Sequence, residues 1–394
     1  TMAEYWMEWA SLLLRWLPVI TAIAWIGSSF YLVWLDLSLR QAPNLQDGGH
    51  GESWFVHVGG FYHVQKYLVA PTAMPKELHW FKYESYFTWM SGFSLLVVTY
   101  YWGAQAFLID SSVADLSVTQ AIGVSLGSLA LGWFLYDFLC KTPIGKNLGL
   151  LGLLVYAVVV LSAYAYSELF SSRAALLHVG AMVATWMTGN VFFIIIPNQK
   201  KVVASLQRGE APDPLLGQQA KQRSTHNNYL TLPVLFMMLS NHYPMTFVGD
   251  DLWILVGLVV LIGAVIRDYF NAGHAGATGF RVKWQWPLAS LLILTLAIWA
   301  KPEAIALDTN QAITDSEVQT IVTTHCAGCH AAQPTMAGFT APPKGVILET
   351  LADVKKYQAQ VYAQSVASQA MPIGNMTQMT PNERAILGHW LETN

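Results

Sequence analysis

Cys326-Ala327-Gly328-Cys329-His330 sets two thiols three positions apart, with an imidazole directly after the second. Thiols so spaced reach the two vinyl groups of one porphyrin, and the adjoining imidazole then lies beneath the iron; C-x-x-C-H is the pattern of covalent c-type haem attachment. A redox dithiol or half of a zinc site would use the same pair of thiols. A zinc cage needs a second such pair, and the chain has only 3 cysteines. A covalent haem implies electron transfer, and it puts this segment outside the cytoplasm of a bacterium.

His330 is the expected proximal ligand, and the distal ligand should be a methionine downstream. Met371, paired with Pro372 in a loop ahead of the last helix, is the choice over Met376 and Met379. The frame for these ligands is a small all-α cytochrome c domain over 302–394. A first helix after Asp315 delivers the cysteines. A last helix is capped by Thr380, with Pro381 at its first position and Glu383 closing a capping box. Ile386, Leu387 and Trp390 give that helix an apolar face for the haem.

The rest of the chain has a different solvent. Hydrophobic residues make up 54% of the 394 positions and charged ones 11%, against about 25% in soluble domains. A net charge of −3 without a basic patch gives no sign of nucleic-acid binding. Residues 1–301 read as a polytopic membrane helical bundle. About eight apolar segments are long enough to cross the hydrocarbon, near 9–37, 86–108, 118–140, 147–169, 174–197, 229–248, 252–272 and 285–301. No cleavable leader is evident, so the first is expected to act as a signal anchor.

Charge orients the segments. Connections 38–85, 141–146, 198–228 and 273–284 carry nearly all the loop lysines and arginines, from Arg40, Lys66 and Lys76 to Arg281 and Lys283. The opposite connections hold Asp110, Asp115, Asp250 and Asp251, with Arg173 alone as a cation. The basic side is therefore cytoplasmic. Both termini then lie outside, and in a bacterial inner membrane the haem segment falls in the periplasm. Connection 38–85 is too long and too aromatic for a bare loop, and an interfacial helix near 53–69 is expected there.

Ionisable residues inside such segments suggest function. His178 and His242 fall near the outer ends of the fifth and sixth segments, where they could share a b-type haem. The alternative is a hydrogen bond from each to a carbonyl or to a neighbour such as Asn241 or Tyr243. Asp137 and Glu168 read as headgroup-level residues, Arg267 and Asp268 as partners of one another, and Cys140 as a small buried hydrophobe.

Several long runs resemble the membrane-bound, cytochrome c-linked urate oxidases. They include Gly59-Gly60-Phe61-Tyr62 through Lys66-Tyr67-Leu68-Val69-Ala70-Pro71, and Leu78-His79-Trp80-Phe81-Lys82-Tyr83-Glu84. They continue with His178-Val179-Gly180-Ala181, Asn190-Val191-Phe192 and Ile196-Pro197-Asn198-Gln199-Lys200-Lys201. The most specific are Ala220-Lys221-Gln222-Arg223-Ser224-Thr225-His226-Asn227-Asn228-Tyr229 and Ser240-Asn241-His242-Tyr243-Pro244. The chain departs from that pattern at Pro18, Asp268 and Gly273, where the resemblance leads one to expect more basic residues.

The resemblance implies oxidation of urate to 5-hydroxyisourate with water as the oxygen source. Electrons would pass to the haem and on to a downstream cytochrome or terminal oxidase, without peroxide. It implies that Arg223 holds the urate anion, His226 acts as the base, and Asn227 and Asn228 donate to urate carbonyls. The asparagine pair could instead cap the sixth segment. The competing function is a non-enzymatic membrane cytochrome that relays electrons from quinol or another donor.

Overall fold

The computed structural model describes residues 2–68, 70–71, 74–75, 77–301, 313–336 and 339–394. Val69 and Lys76 lie outside them, as do residues 302–312, on which the expected domain boundary falls.

Helix α1 (Met2–Ser38) leads into an antiparallel hairpin of β1 (Gly49–His57) and β2 (Gly60–Tyr67). The hairpin replaces the interfacial helix expected near 53–69. Its residues are rich in aromatic and β-branched side chains, which favour strands, and Val58 and Gly59 both take positive φ, as a two-residue hairpin turn requires. Phe55 stacks on Tyr62 and meets the rings of Tyr31 and Trp34 edge-on, which seats the hairpin on α1. The fold is therefore almost all helical, with this one small sheet among the described residues.

Helix α2 (Tyr83–Leu96) runs through a π-turn at Val97–Tyr101 to the short α3 (Ala104–Phe107). Helix α4 (Val118–Lys141) opens on a Ser117–Gln120 capping box, and Asn147 caps α5 (Leu148–Ser167). Ser171 caps α6 (Ser172–Gly189), which continues through a π-turn at Asn190–Ile195 into α7 (Ile196–Gln207). Helix α8 (Pro214–Leu239) starts at an Asp213 cap, far upstream of the expected sixth segment. Asn227 and Asn228 therefore lie mid-helix and cap nothing. Helices α9 (Leu252–His274) and α10 (Gln285–Trp299) complete the bundle.

Six helices are long and apolar enough to cross a membrane: Leu12–Ser38, Val118–Lys141, Leu148–Ser167, Ser172–Gln207, Leu252–His274 and Gly279–Trp299. Burial ranks them. Two thirds of the most apolar stretch of Ser172–Gln207 is buried (67%), against 0% for Leu12–Ser38, so α6 forms the centre and α1 the periphery. At Gly263 of α9 an added Cβ would lie 2.6 Å from Pro233 Cδ, so α8 and α9 meet almost backbone to backbone.

A second apolar core gathers α11 (Asp315–His325), α12 (Ala327–His330), α13 (Leu351–Lys356), α14 (Gln358–Val361) and α15 (Pro381–Thr393). The Thr380–Glu383 capping box starts α15 as expected. This unit rests on one end of the bundle through Gly374. With φ of +57°, Gly374 sits where a Cβ would lie 2.9–3.1 Å from the carbonyl oxygens of Gln105, Ala106 and Ile109. Only glycine fits both the conformation and the contact.

Candidate functional site

Helix α8 carries a dense polar run into the middle of apolar helices, and its residues fan out to two sides. On the α4–α6 side, Arg223 is 2% exposed and ion-pairs with Asp137 at 2.8 Å. Its Nη1 also donates to Asn190 Oδ1 at 3.0 Å. Asp137 thus serves as a counter-ion, where a headgroup-level residue was expected. The π-turn begins at Asn190 and presents its side chain inward. Asn190 Nδ2 donates to both Asn227 Oδ1 and the Tyr136 hydroxyl, each at 2.9 Å.

Tyr136 is the hub of this side. Its ring stacks on Trp186 at 4.8 Å, and its hydroxyl lies 2.7 Å from His226 Nδ1. Since that hydroxyl already accepts from Asn190, its own proton points at His226. A neutral His226 then carries its proton on Nε2. Cys140 is buried as expected, with its Sγ 3.9 Å from the same Nδ1.

On the α9 side, Asn228 Oδ1 accepts from Asn271 Nδ2 at 2.7 Å and from Arg267 Nε at 3.4 Å. Arg267 Nη2 reaches Asn271 Oδ1 at 3.1 Å, and the guanidinium lies 3.9 Å over the Phe30 ring of α1. Arg267 and Asp268 do not pair with one another. They project from different faces of α9, and Asp268 instead takes a two-pronged ion pair from Arg281, at 2.5 and 2.8 Å, and a bond from Gln285.

The structure thus brings Arg223, His226 and Asn227 together and turns Asn228 away to Arg267. Sequence reasoning missed Tyr136, Asn190 and Asn271. Each lies in or beside an apolar run, and a helical-face count against α8 could have signalled its role.

The two outer histidines stand in different surroundings. His178 is fully buried, its Nε2 2.7 Å from Ser125 Oγ and its Nδ1 2.7 Å from Ala174 O, among Tyr100, Tyr166 and Phe170. His242 is exposed in a 3₁₀ turn beyond the end of α8. With both His178 nitrogens engaged, these residues do not fit a shared b-type haem, and the hydrogen-bonded alternative describes His178.

The C-x-x-C-H stretch fits a c-type haem better. His330 Nδ1 bonds Val346 O at 2.9 Å, which orients the ring and leaves Nε2 for iron. Burial pushes the Cys326 thiol up to about 11, opposite to the depressed value of a redox dithiol. Met371 is half-buried and held by its backbone: its N–H donates to Gln364 O, and its carbonyl accepts from Arg384 Nη1 at 2.7 Å. Met376 is exposed, and Met379 is buried in the apolar core.

The sequence profile described as urate oxidase N-terminal matches residues 4–301. The chain belongs to that family. Neither the curated proteins nor the solved structures include a match. In this urate oxidase family member the matched segment covers α1 through α10, and with them both polar clusters around α8. A urate-related oxidoreductase in a bundle of membrane-crossing helices is the function this establishes.

Proposed function

We propose that this chain oxidises urate to 5-hydroxyisourate within the bundle and passes the electrons to a c-type haem on residues 313–394. The observation that carries the reading is the buried, arginine-bearing polar centre around α8, in a family defined by urate oxidation. Ionisable groups within lipid-spanning helices are rare and mark function by default. Urate and water together give 5-hydroxyisourate, two protons and two electrons, so the site must dispose of both.

Tyr136 and His226 supply a route for each. When Tyr136 gives up one electron along the route to the haem, its hydroxyl proton crosses 2.7 Å to His226 Nδ1; an electron and a proton from the substrate then restore the tyrosine, and His226 releases its extra proton from Nε2. Two such turns oxidise one urate. Trp186, stacked on Tyr136, lies on the α6 face that continues at four-residue steps through Met182 to His178. That face leads toward the end of the bundle where the C-terminal unit docks. Cys326 and Cys329 would hold the haem, with His330 and Met371 as axial ligands. Bound there, it supplies a one-electron acceptor that can relay to a downstream cytochrome or terminal oxidase.

On this reading α2 with its π-turn and the apolar half of α8 are the two further crossings that make eight. The docking face carries Asp110, Ser171 and Arg173, from the connections that charge assigns to the outside. That agreement supports a bacterial inner-membrane protein with its C-terminal unit in the periplasm. Turnover in water enriched in oxygen-18 tests the chemistry. The label should enter 5-hydroxyisourate, with no peroxide formed. Label arriving from dioxygen, with stoichiometric peroxide, would overturn it.

A further inference from the structure

Arginine burial in this bundle is asymmetric. Arg223 is neutralised by Asp137. Arg267 is 5% exposed, yet among the described residues no carboxylate lies within ion-pair distance of it. Its bonds go to two neutral asparagines, and Nη1 makes none to the described protein. A buried cation without a counter-charge is costly in a low-dielectric interior. Two orphan polar groups lie near it. Asn228, 1% exposed, has no partner for its Nδ2 donor. His274, seven residues beyond Arg267 on α9, has no partner for a buried Nδ1. Positions 267, 271 and 274 share one face of that helix.

We propose that the Arg267–Asn228–Asn271 cluster, roofed by Phe30, is the seat of a planar organic monoanion. The assignment rests on the urate reading above for the identity of that anion, and it moves the anion contact from Arg223 to Arg267. The guanidinium supplies the missing counter-charge, and a two-pronged N–H edge suits a planar anion. Asn228 Nδ2 supplies a donor to a ring carbonyl. Asn227 and Asn228 then divide their work, one toward Tyr136 and Asn190, the other toward the anion. Arg223, although its Nε is unpaired, carries a charge that Asp137 already balances.

The test is equilibrium dialysis of radiolabelled urate against the full-length, dithionite-reduced protein in detergent, so that no turnover consumes the ligand. Thermal unfolding is followed in parallel. Arg267→Gln should weaken binding by roughly 100-fold, as loss of a buried charge contact does. Arg267→Lys, which keeps the charge but not the fork, should recover part of it. Asn228→Ala should cost about tenfold. Arg267→Met should leave or raise the unfolding midpoint of the urate-free protein while abolishing the stabilisation that urate gives the wild type. Wild-type binding together with unchanged affinity in Arg267→Gln would overturn the seat and leave the urate reading intact. A fall in the urate-free midpoint for Arg267→Met with urate affinity retained would make the arginine structural. Failure of the wild-type protein to bind urate would overturn the urate reading itself, and with it the ligand named here.

Discussion

Two buried arginines on neighbouring helices face opposite demands. Arg223 has a carboxylate at 2.8 Å, and Arg267 has asparagines. The Arg223–Asp137 pair is structural in energy, because removing one member strands the other charge. Asp137→Asn should therefore destabilise the bundle by about 3–5 kcal/mol, seen as a lowered unfolding midpoint in detergent; an unchanged midpoint would show the pair to be solvated. The polar run on α8 was legible in the sequence, because Arg223, His226 and Asn227 lead directly into an apolar stretch. Their partners were not. Tyr136 reads as one more aromatic of a membrane segment, and Asp137 as a residue near a helix end. Their inward direction depends on how α4 packs against α8, which no local pattern encodes.

At the scale of elements, the apolar segments mark most of the helices correctly, since twenty apolar residues in a row leave few alternatives. The hairpin was missed because Trp54-Phe55-Val56 and Phe61-Tyr62 break the alternation that marks a strand, and because Val58-Gly59 is a weaker turn signal than Asn-Gly. The true start of α8 was missed because its first turns are polar and project past the apolar stretch. The π-turn at Asn190–Ile195 carries no sequence signature, yet it aims Asn190 at Tyr136. Directly before it, Gly189 lies under Trp133, where an added Cβ would fall 2.5 Å from the ring. Gly189→Ala should cost about 1–3 kcal/mol of stability, read by tryptophan fluorescence on heating. A wild-type melting curve would mean that α4 and α6 are not packed this closely.

At the scale of the whole molecule, two apolar cores meet at one docking face. Arg384 binds the carbonyls of Ser365 and Met371, and Gly374 of the same loop rests on α3, so the loop expected to carry the distal ligand is also the loop that touches the bundle. A haem placed there would lie on the side toward which the Trp186–Met182–His178 face points. This coupling makes one measurement decisive. The purified, oxidised protein is titrated with urate in the strict absence of oxygen while the c-type absorption band is followed. Each urate should reduce two haem equivalents, in the protein itself or in added cytochrome that it feeds, with one 5-hydroxyisourate formed per urate. A band that stays oxidised under excess urate, in protein that still consumes urate once air is admitted, would contradict the coupling of urate oxidation to the haem.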